Sequence, residues 1–356
     1  MSTTATRPTP LSAARYLAWT GALFESAAAI TGVVERQYRI AQRRVVVRTA
    51  GSELMARTDP ALHARSITDD DADATVADLT VEAWDSASSG VLIGRAPWEP
   101  DDLRPLGLVR THCDDRFRTA VDVHTASLSQ FDAATSRARF WLHDAARMAY
   151  WQSASPLRLI MSWWAAQWGG QLTHAAAVVA DGAAVLVVGG AGAGKSTTAL
   201  MCLRAGLGFL GDDYCLVTAG AEPRVHAVYA TAKLRPDGLE LLPDLVPAVT
   251  NLARVDREKA IVALADRYDD QLVADAPLRA IVVPRVTGTV RSERVSAGTV
   301  LRAMAPSTIF GLFGATPGTL AQLAAIARQV PGYVLEVGDD PVAVAGEIAR
   351  LAGRGA

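Results

Sequence analysis

Gly189-Gly190-Ala191-Gly192-Ala193-Gly194-Lys195-Ser196 fits the spacing G-x-x-x-x-G-K-S, the Walker A pattern of a phosphate loop. The chemistry follows from the residue types. Glycines let successive backbone N–H groups turn inward around an anion. A helix starting at Lys195 adds the partial positive charge of its N-terminus. Lys195 is then placed to reach the β- and γ-phosphates of a nucleotide, the Ser196 hydroxyl to reach Mg²⁺, and Thr197 completes the nucleotide-binding run. An adjacent carboxylate pair, Asp212-Asp213, arrives only one helix later. Neighbouring side chains on a strand face opposite sides, so a bend at Gly211 or a bound cation must accommodate the pair. One carboxylate beside Ser196 suffices for Mg²⁺, which leaves the other to take a proton from an attacking hydroxyl, as in a kinase. The plainer alternative is a strand-end turn with two solvated carboxylates.

The elements that must position these groups are legible around them. "LTHAAAVVADGAAVLVVGG" holds two apolar runs split by Asp181-Gly182, a hairpin signal. Its second strand, Ala184–Val188, delivers the chain into the loop. A helix over 195–205 ends at Gly206, and a strand over 208–217 carries the aspartates. "PLRAIVVPRV" and "GYVLEVG" read as further buried strands, and "TLAQLAAIARQV" and "DPVAVAGEIARLAG" as helices, with "PSTIFGLFG" opening a connection. From about residue 170 onward the pattern is α/β.

The first half reads differently. The segment from Tyr16 to Val34 is expected as a helix or strand, and Glu25 interrupts it as a membrane span. From Gln37 to Val123 short strands alternate with turns, and a strand over Ala138–His143 follows. "ITDDDADATVAD" reads as an acidic linker, and residues 1–10 as mobile. Ser155 and Pro156 are placed to open a helix that ends at Gly169-Gly170, with Trp163, Trp164 and Trp168 on one face as core.

The chain has 356 residues, half of them hydrophobic and a fifth charged, with net charge -2. That length suits two domains, expected as a strand-rich 1–150, which either recognises the acceptor or merely covers the sheet, and a catalytic 151–356; the alternative is one large domain with an extension. The charge gives no global reason to expect nucleic acid or a membrane as partner. Cys113, Cys202 and Cys215 are too scattered for zinc or a disulfide framework. The expected location is cytoplasmic, and a homo-oligomer is left open.

The stretch from Thr173 to Val217 resembles the catalytic core of HPr kinase/phosphorylase and of HPr-kinase-like serine kinases from bacterial peptide-modification clusters. In that family a histidine opens the first strand, a hairpin leads to the phosphate loop, and an Asp-Asp pair follows one helix later. His174, Lys195, Ser196, Asp212 and Asp213 match in type and spacing over roughly residues 170–220. The resemblance implies an α/β core of the HPr kinase/phosphoenolpyruvate carboxykinase-like type. It also implies roles: Lys195 on the phosphates, Ser196 with Asp213 on Mg²⁺, Asp212 as the base, and His174 near the reacting phosphate. Thr197 stands where the family commonly has glutamate, and the later Glu-Ile-Arg-Gly signature is not recognisable. The nearest basic candidates to bind phosphate or acceptor in its place are Lys233 and Arg235, with Lys259 and Arg285 further on; surface charge is the plainer reading of each.

The function expected is an ATP-dependent kinase acting on a serine hydroxyl of a peptide or protein. Two alternatives stay open: a small-molecule kinase on the same core, and a nucleotide-binding regulatory ATPase.

Overall fold

The alternation of β-branched residues after Tyr38 folds back at Ala41-Gln42, both with positive φ, into a hairpin. In the computed structural model, which describes residues 11–68, 76–104, 106–312 and 317–353, this hairpin starts a six-stranded sheet. Its strands are β1 (Val33–Ile40), β2 (Arg43–Ala50), β3 (Leu79–Asp85), β4 (Phe117–Asp122), β5 (Ser127–Asp132) and β6 (Arg137–Leu142). Their order is β1-β2-β3-β6-β5-β4, with β3 parallel to both neighbours. The N-terminal start and residues 69–75 of the acidic linker lie outside the described residues.

The segment expected as helix or strand is helix Ala13–Thr31. It lays Phe24 and Ala27 against Ala50 and Trp84, and Thr20 donates to Gln130 at 2.6 Å. Beneath it the buried Glu82 carboxylate is held by Arg48 at 2.9 Å and Arg139 at 2.7 Å.

A second, mixed sheet follows. Its strands are β7 (Gly170–Thr173), β8 (Ala175–Ala180), β9 (Ala183–Val188), β10 (Gly208–Gly211), β11 (Cys215–Thr218) and β12 (Arg224–His226). β13 (Thr231–Leu234) and β14 (Ala260–Ala263) form a separate two-stranded ribbon, and β15 (Asp275–Val286), β16 (Arg291–Val295) and β17 (Gly332–Val337) return to the main sheet. The main order is β10-β8-β9-β15-β12-β11-β7, with β17 on β15 and β16 on β17. β15 runs parallel to β9 and β17.

Both faces of this sheet are covered, which is why its central strands are apolar without alternation. In β8, Ala176, Val178 and Ala180 face helices Lys195–Arg204 and Pro341–Gly353, while Ala175, Ala177 and Val179 face helices Ala297–Gly311 and Pro317–Gln329. A third apolar cluster joins the two sheets. It runs from Val81 and Phe140 through Trp163 and Trp164 of helix Arg158–Ala166 to Leu172, Leu216 and Tyr229. The tryptophans are core, and Trp164 donates to the Asp78 carbonyl at 3.1 Å.

Three expectations are corrected. The strand over 208–217 is two strands, β10 and β11, separated by 212–214. The "PSTIFGLFG" segment starts inside helix Ala297–Gly311, which carries Pro306 within it, and its residues 313–314 lie outside the described ones. Ser155 does not open the tryptophan helix: it ends a short helix, Tyr150–Ala154, and helix Arg158–Ala166 begins after Leu157, whose φ of 58° sharply turns the chain.

The β8–β9 hairpin aims the glycine-rich loop. Its turn places Asp181 at φ 48° and Gly182 at φ 75°, the left-handed pair of a type I′ turn. A Cβ on Gly182 meets nothing within 4 Å. Gly182→Ala is therefore expected to lose about 1 kcal/mol through backbone conformation alone, and Gly182→Asn less, because asparagine tolerates this region. Denaturant midpoints of the two variants would check the order.

Candidate functional site

Helix Lys195–Arg204 starts from Gly194 at φ 92°, and no side chain caps it. Its first N–H groups thus lack intrahelical partners and face outward at the positive end of the helix dipole. Gly192 is also left-handed, at φ 79°. A Cβ on Gly189 would lie 2.9 Å from Cβ of Ala193, so the loop closes only with glycine there. Lys195 is buried and bent back over the loop, donating to the carbonyls of Gly189 at 3.0 Å and Gly190 at 3.2 Å. Burial lowers its pKa.

The bend between the aspartates falls at Asp213, not at Gly211. Asp213 has φ 65°, and the N–H of Tyr214 reaches back to the carbonyl of Asp212 at 2.8 Å. This γ-type turn is a strained conformation for a non-glycine residue. It separates the two carboxylates into different surroundings.

Asp212 is buried, and its Oδ2 accepts from the backbone N–H of Lys233 at 2.9 Å. Ser196 lies beside it and helps the charged form, but Oδ1 has no hydrogen-bond partner of good geometry. Burial, and then the neighbouring Asp213, raise the Asp212 carboxyl above its usual range. Asp213 has three partners: Lys233 Nζ and the Ser155 hydroxyl on Oδ2, at 2.7 and 2.9 Å, and His174 Nε2 on Oδ1, at 3.3 Å. Burial alone would raise this carboxyl, yet Lys233 and His174 outweigh it and hold it well below the usual range. His174 is fixed in turn, its backbone N–H donating to Thr308 at 3.1 Å and its ring 5.4 Å from Tyr214.

One cleft of about 420 Å³ is lined by His174, loop and helix residues Ala191–Thr198, Asp212, Asp213, Lys233, Arg235 and Lys259. All the expected site residues therefore meet in one place, with Gly189 and Gly190 forming the base of the loop. Arg285 is not on the cleft wall. The expected neighbour of Ser196 is exchanged: Ser196 lies by Asp212, and Asp213 turns to Lys233, His174 and Ser155. Lys233 is largely buried rather than a surface charge. Ser155 has no local signal as a site residue, since only the tertiary fold brings it 58 positions along the chain to Asp213.

Among the described residues, no three His, Cys, Asp or Glu side chains gather as a metal cage. Mg²⁺ held mainly by phosphates and water asks for only one or two protein ligands. The buried, unpartnered Oδ1 of Asp212 beside the Ser196 hydroxyl fits that need.

No family model and no curated protein matches the chain. Among solved structures it is similar to the HPr(Ser) kinase/phosphatase from Coxiella burnetii, with 14% identity over 52% of this chain and 99% of that one, and a TM-score of 0.30. At that TM-score the likeness decides neither fold nor chemistry. The described architecture is mixed α/β, and among the described residues no helix is long and apolar enough to cross a membrane.

The two carboxylates should respond oppositely to pH. A raised carboxyl such as Asp212 favours the fold below its unfolded pKa and loses that contribution as pH rises through the folded value. A depressed one such as Asp213 contributes above the unfolded pKa and is lost as pH falls through the folded value. Asp212→Asn should thus raise Tm of the ligand-free protein at pH 8, with the gain shrinking toward pH 4. Asp213→Asn strands the Lys233 ammonium and should lower stability by about 3–5 kcal/mol. Melts of both variants across that range check the signs.

Proposed function

We propose that the chain is an ATP-dependent phosphotransferase, a kinase that passes the γ-phosphoryl group to a serine hydroxyl of a peptide or protein. The observation that carries this reading is the shared cleft: an uncapped helix N-terminus, Lys195 and two differently held carboxylates converge on one space. The loop N–H groups, with Lys195 released from its own carbonyls, suit the triphosphate.

Ser196 and Asp212 would hold Mg²⁺, which when bound neutralises phosphate charge. Asp213 suits proton acceptance. Its Oδ2 is taken by Lys233 and Ser155, while Oδ1 has only the longer His174 contact and keeps a lone pair for an incoming hydroxyl. The hydroxyl oxygen bonds to the γ-phosphorus, the bond to the bridging oxygen breaks, ADP leaves, and the hydroxyl proton passes to Asp213. In a loose transition state the proton moves late, so a weak but fully ionised carboxylate is adequate. This division exchanges the two aspartate roles that the family resemblance implies. The serine acceptor comes from that resemblance, over residues 170–220; no residue on the cleft wall selects it.

Lys195→Met should abolish transfer from ATP. Asp213→Asn should keep nucleotide binding and lower kcat by about 10²–10⁴-fold, the usual contribution of a positioned base. Asp212→Asn should instead lose Mg²⁺-dependent nucleotide binding. Equal losses of binding in both variants would sink the division of roles. Mass spectrometry of candidate peptides should show the gain of a phosphate group on serine. Phosphate found only on a metabolite, or hydrolysis with no acceptor at all, would move the protein to another class.

A further inference from the structure

The β13–β14 ribbon has no counterpart among the phosphate-loop elements, yet it forms one wall of the cleft. Its register pairs Lys233 with Ile261 and Leu234 with Ala260. Arg235 remains extended, with φ -74° and ψ 161°. Continued by one residue, the antiparallel register sets Arg235 opposite Lys259. The two-residue spacing puts Lys233 and Arg235 on the same face of β13. All three cations line the cleft.

Like charges directly opposite on neighbouring strands are destabilising. Here little offsets them. Lys233 is paired with Asp213, and Arg235 has only a loose 3.5 Å contact to the exposed Asp237. Lys259 is half-buried; its backbone carbonyl accepts from Asn251 at 2.9 Å, and among the described residues its ammonium has neither an ion-pair nor a hydrogen-bond partner. Lys233 and Lys259 also act on the buried Lys195, each opposing its charge. Three ammonium groups thus converge on a partly desolvated space that also holds the N-terminus of helix Lys195–Arg204.

The geometry points to the ribbon as a second phosphate-binding wall beside the loop, with Lys259 contacting the terminal phosphate of the nucleotide. An anion there relieves the Arg235–Lys259 and Lys195–Lys259 repulsions at once. It is gripped by the backbone N–H groups of the loop and by the point charges of the ribbon together. The ribbon is already docked to the reacting end, through the Lys233 backbone on Asp212 and its ammonium on Asp213. This inference rests on the phosphotransferase reading, and the test separates the two.

Titration calorimetry with ATP, AMP and inorganic tripolyphosphate, on the full chain and on Lys259→Met and Lys259→Arg, reads the ribbon directly. Loss of one charged hydrogen bond weakens binding by about tenfold to a hundredfold. Lys259→Met should lose that much for ATP and tripolyphosphate, keep its AMP affinity, and recover most of the loss as Lys259→Arg. The ligand-free Tm should not fall in Lys259→Met, since a repulsion is removed, whereas tripolyphosphate should raise Tm less than in the parent. Unchanged ATP and tripolyphosphate affinities in Lys259→Met, with the parent binding both, would overturn the ribbon's role and leave the kinase reading standing. A parent chain that binds neither ATP nor tripolyphosphate would bring down both.

Discussion

Two carboxylates adjacent in sequence and buried in one site repel each other, and the rest of the site is arranged around that fact. Taking even one such charge out of water costs several kcal/mol, roughly, unless it is paired. The chain solves this by a left-handed residue at Asp213 that breaks a strand in two and sends the side chains apart. Asp213 receives a cation and two further donors; Asp212 receives a backbone N–H and keeps one oxygen open. The strained backbone is held because strands on both sides of it are locked in the sheet: β10 on β8, and β11 between β12 and β7.

The parts of this arrangement that were legible in the sequence depend on local chemistry. The Asp181-Gly182 turn, the two strands it joins, the glycine-rich loop and the helix after it are specified by neighbouring residues, and each lies within a residue or two of expectation. The need for a bend at the aspartate pair is legible, but its place is not: the positive φ falls at Asp213 rather than Gly211, held by contacts that only the tertiary fold supplies. Ser155 and Lys233 were misjudged for the same reason. Their roles come from contacts 58 and 20 positions away along the chain, which no spacing rule reaches. The helix through Pro306 was missed because proline normally marks an end; here it sits within a helix whose packing residues Val300, Met304 and Ala305 outweigh that local preference.

The first half of the chain bears on the site through packing rather than through side chains in the cleft. Helix Arg158–Ala166 buries its tryptophans in an apolar cluster that contains strands of both sheets. The segment just before it is tied down by Thr231 donating to the Ala154 carbonyl at 2.6 Å and Tyr229 to the Pro156 carbonyl at 2.7 Å. Ser155 lies between those two anchors. Its hydroxyl therefore arrives at Asp213 on a rigid mount whose other side is the six-stranded sheet, through Gln152 on Thr125 and Ser127.

Helix Ala297–Gly311 touches the site at two consecutive residues. Ser307 reaches the Gly189 carbonyl at 3.4 Å, the same carbonyl that Lys195 contacts, and Thr308 accepts from the His174 backbone. Consecutive helical positions point about 100° apart, so this one turn braces the loop on one side and the histidine strand on the other. The spacing between the glycine-rich loop and the histidine strand is thereby set from a single turn of one helix. A shift of that turn along the helix axis would carry the loop and the histidine strand together, whereas a rotation of it would move them in opposite senses.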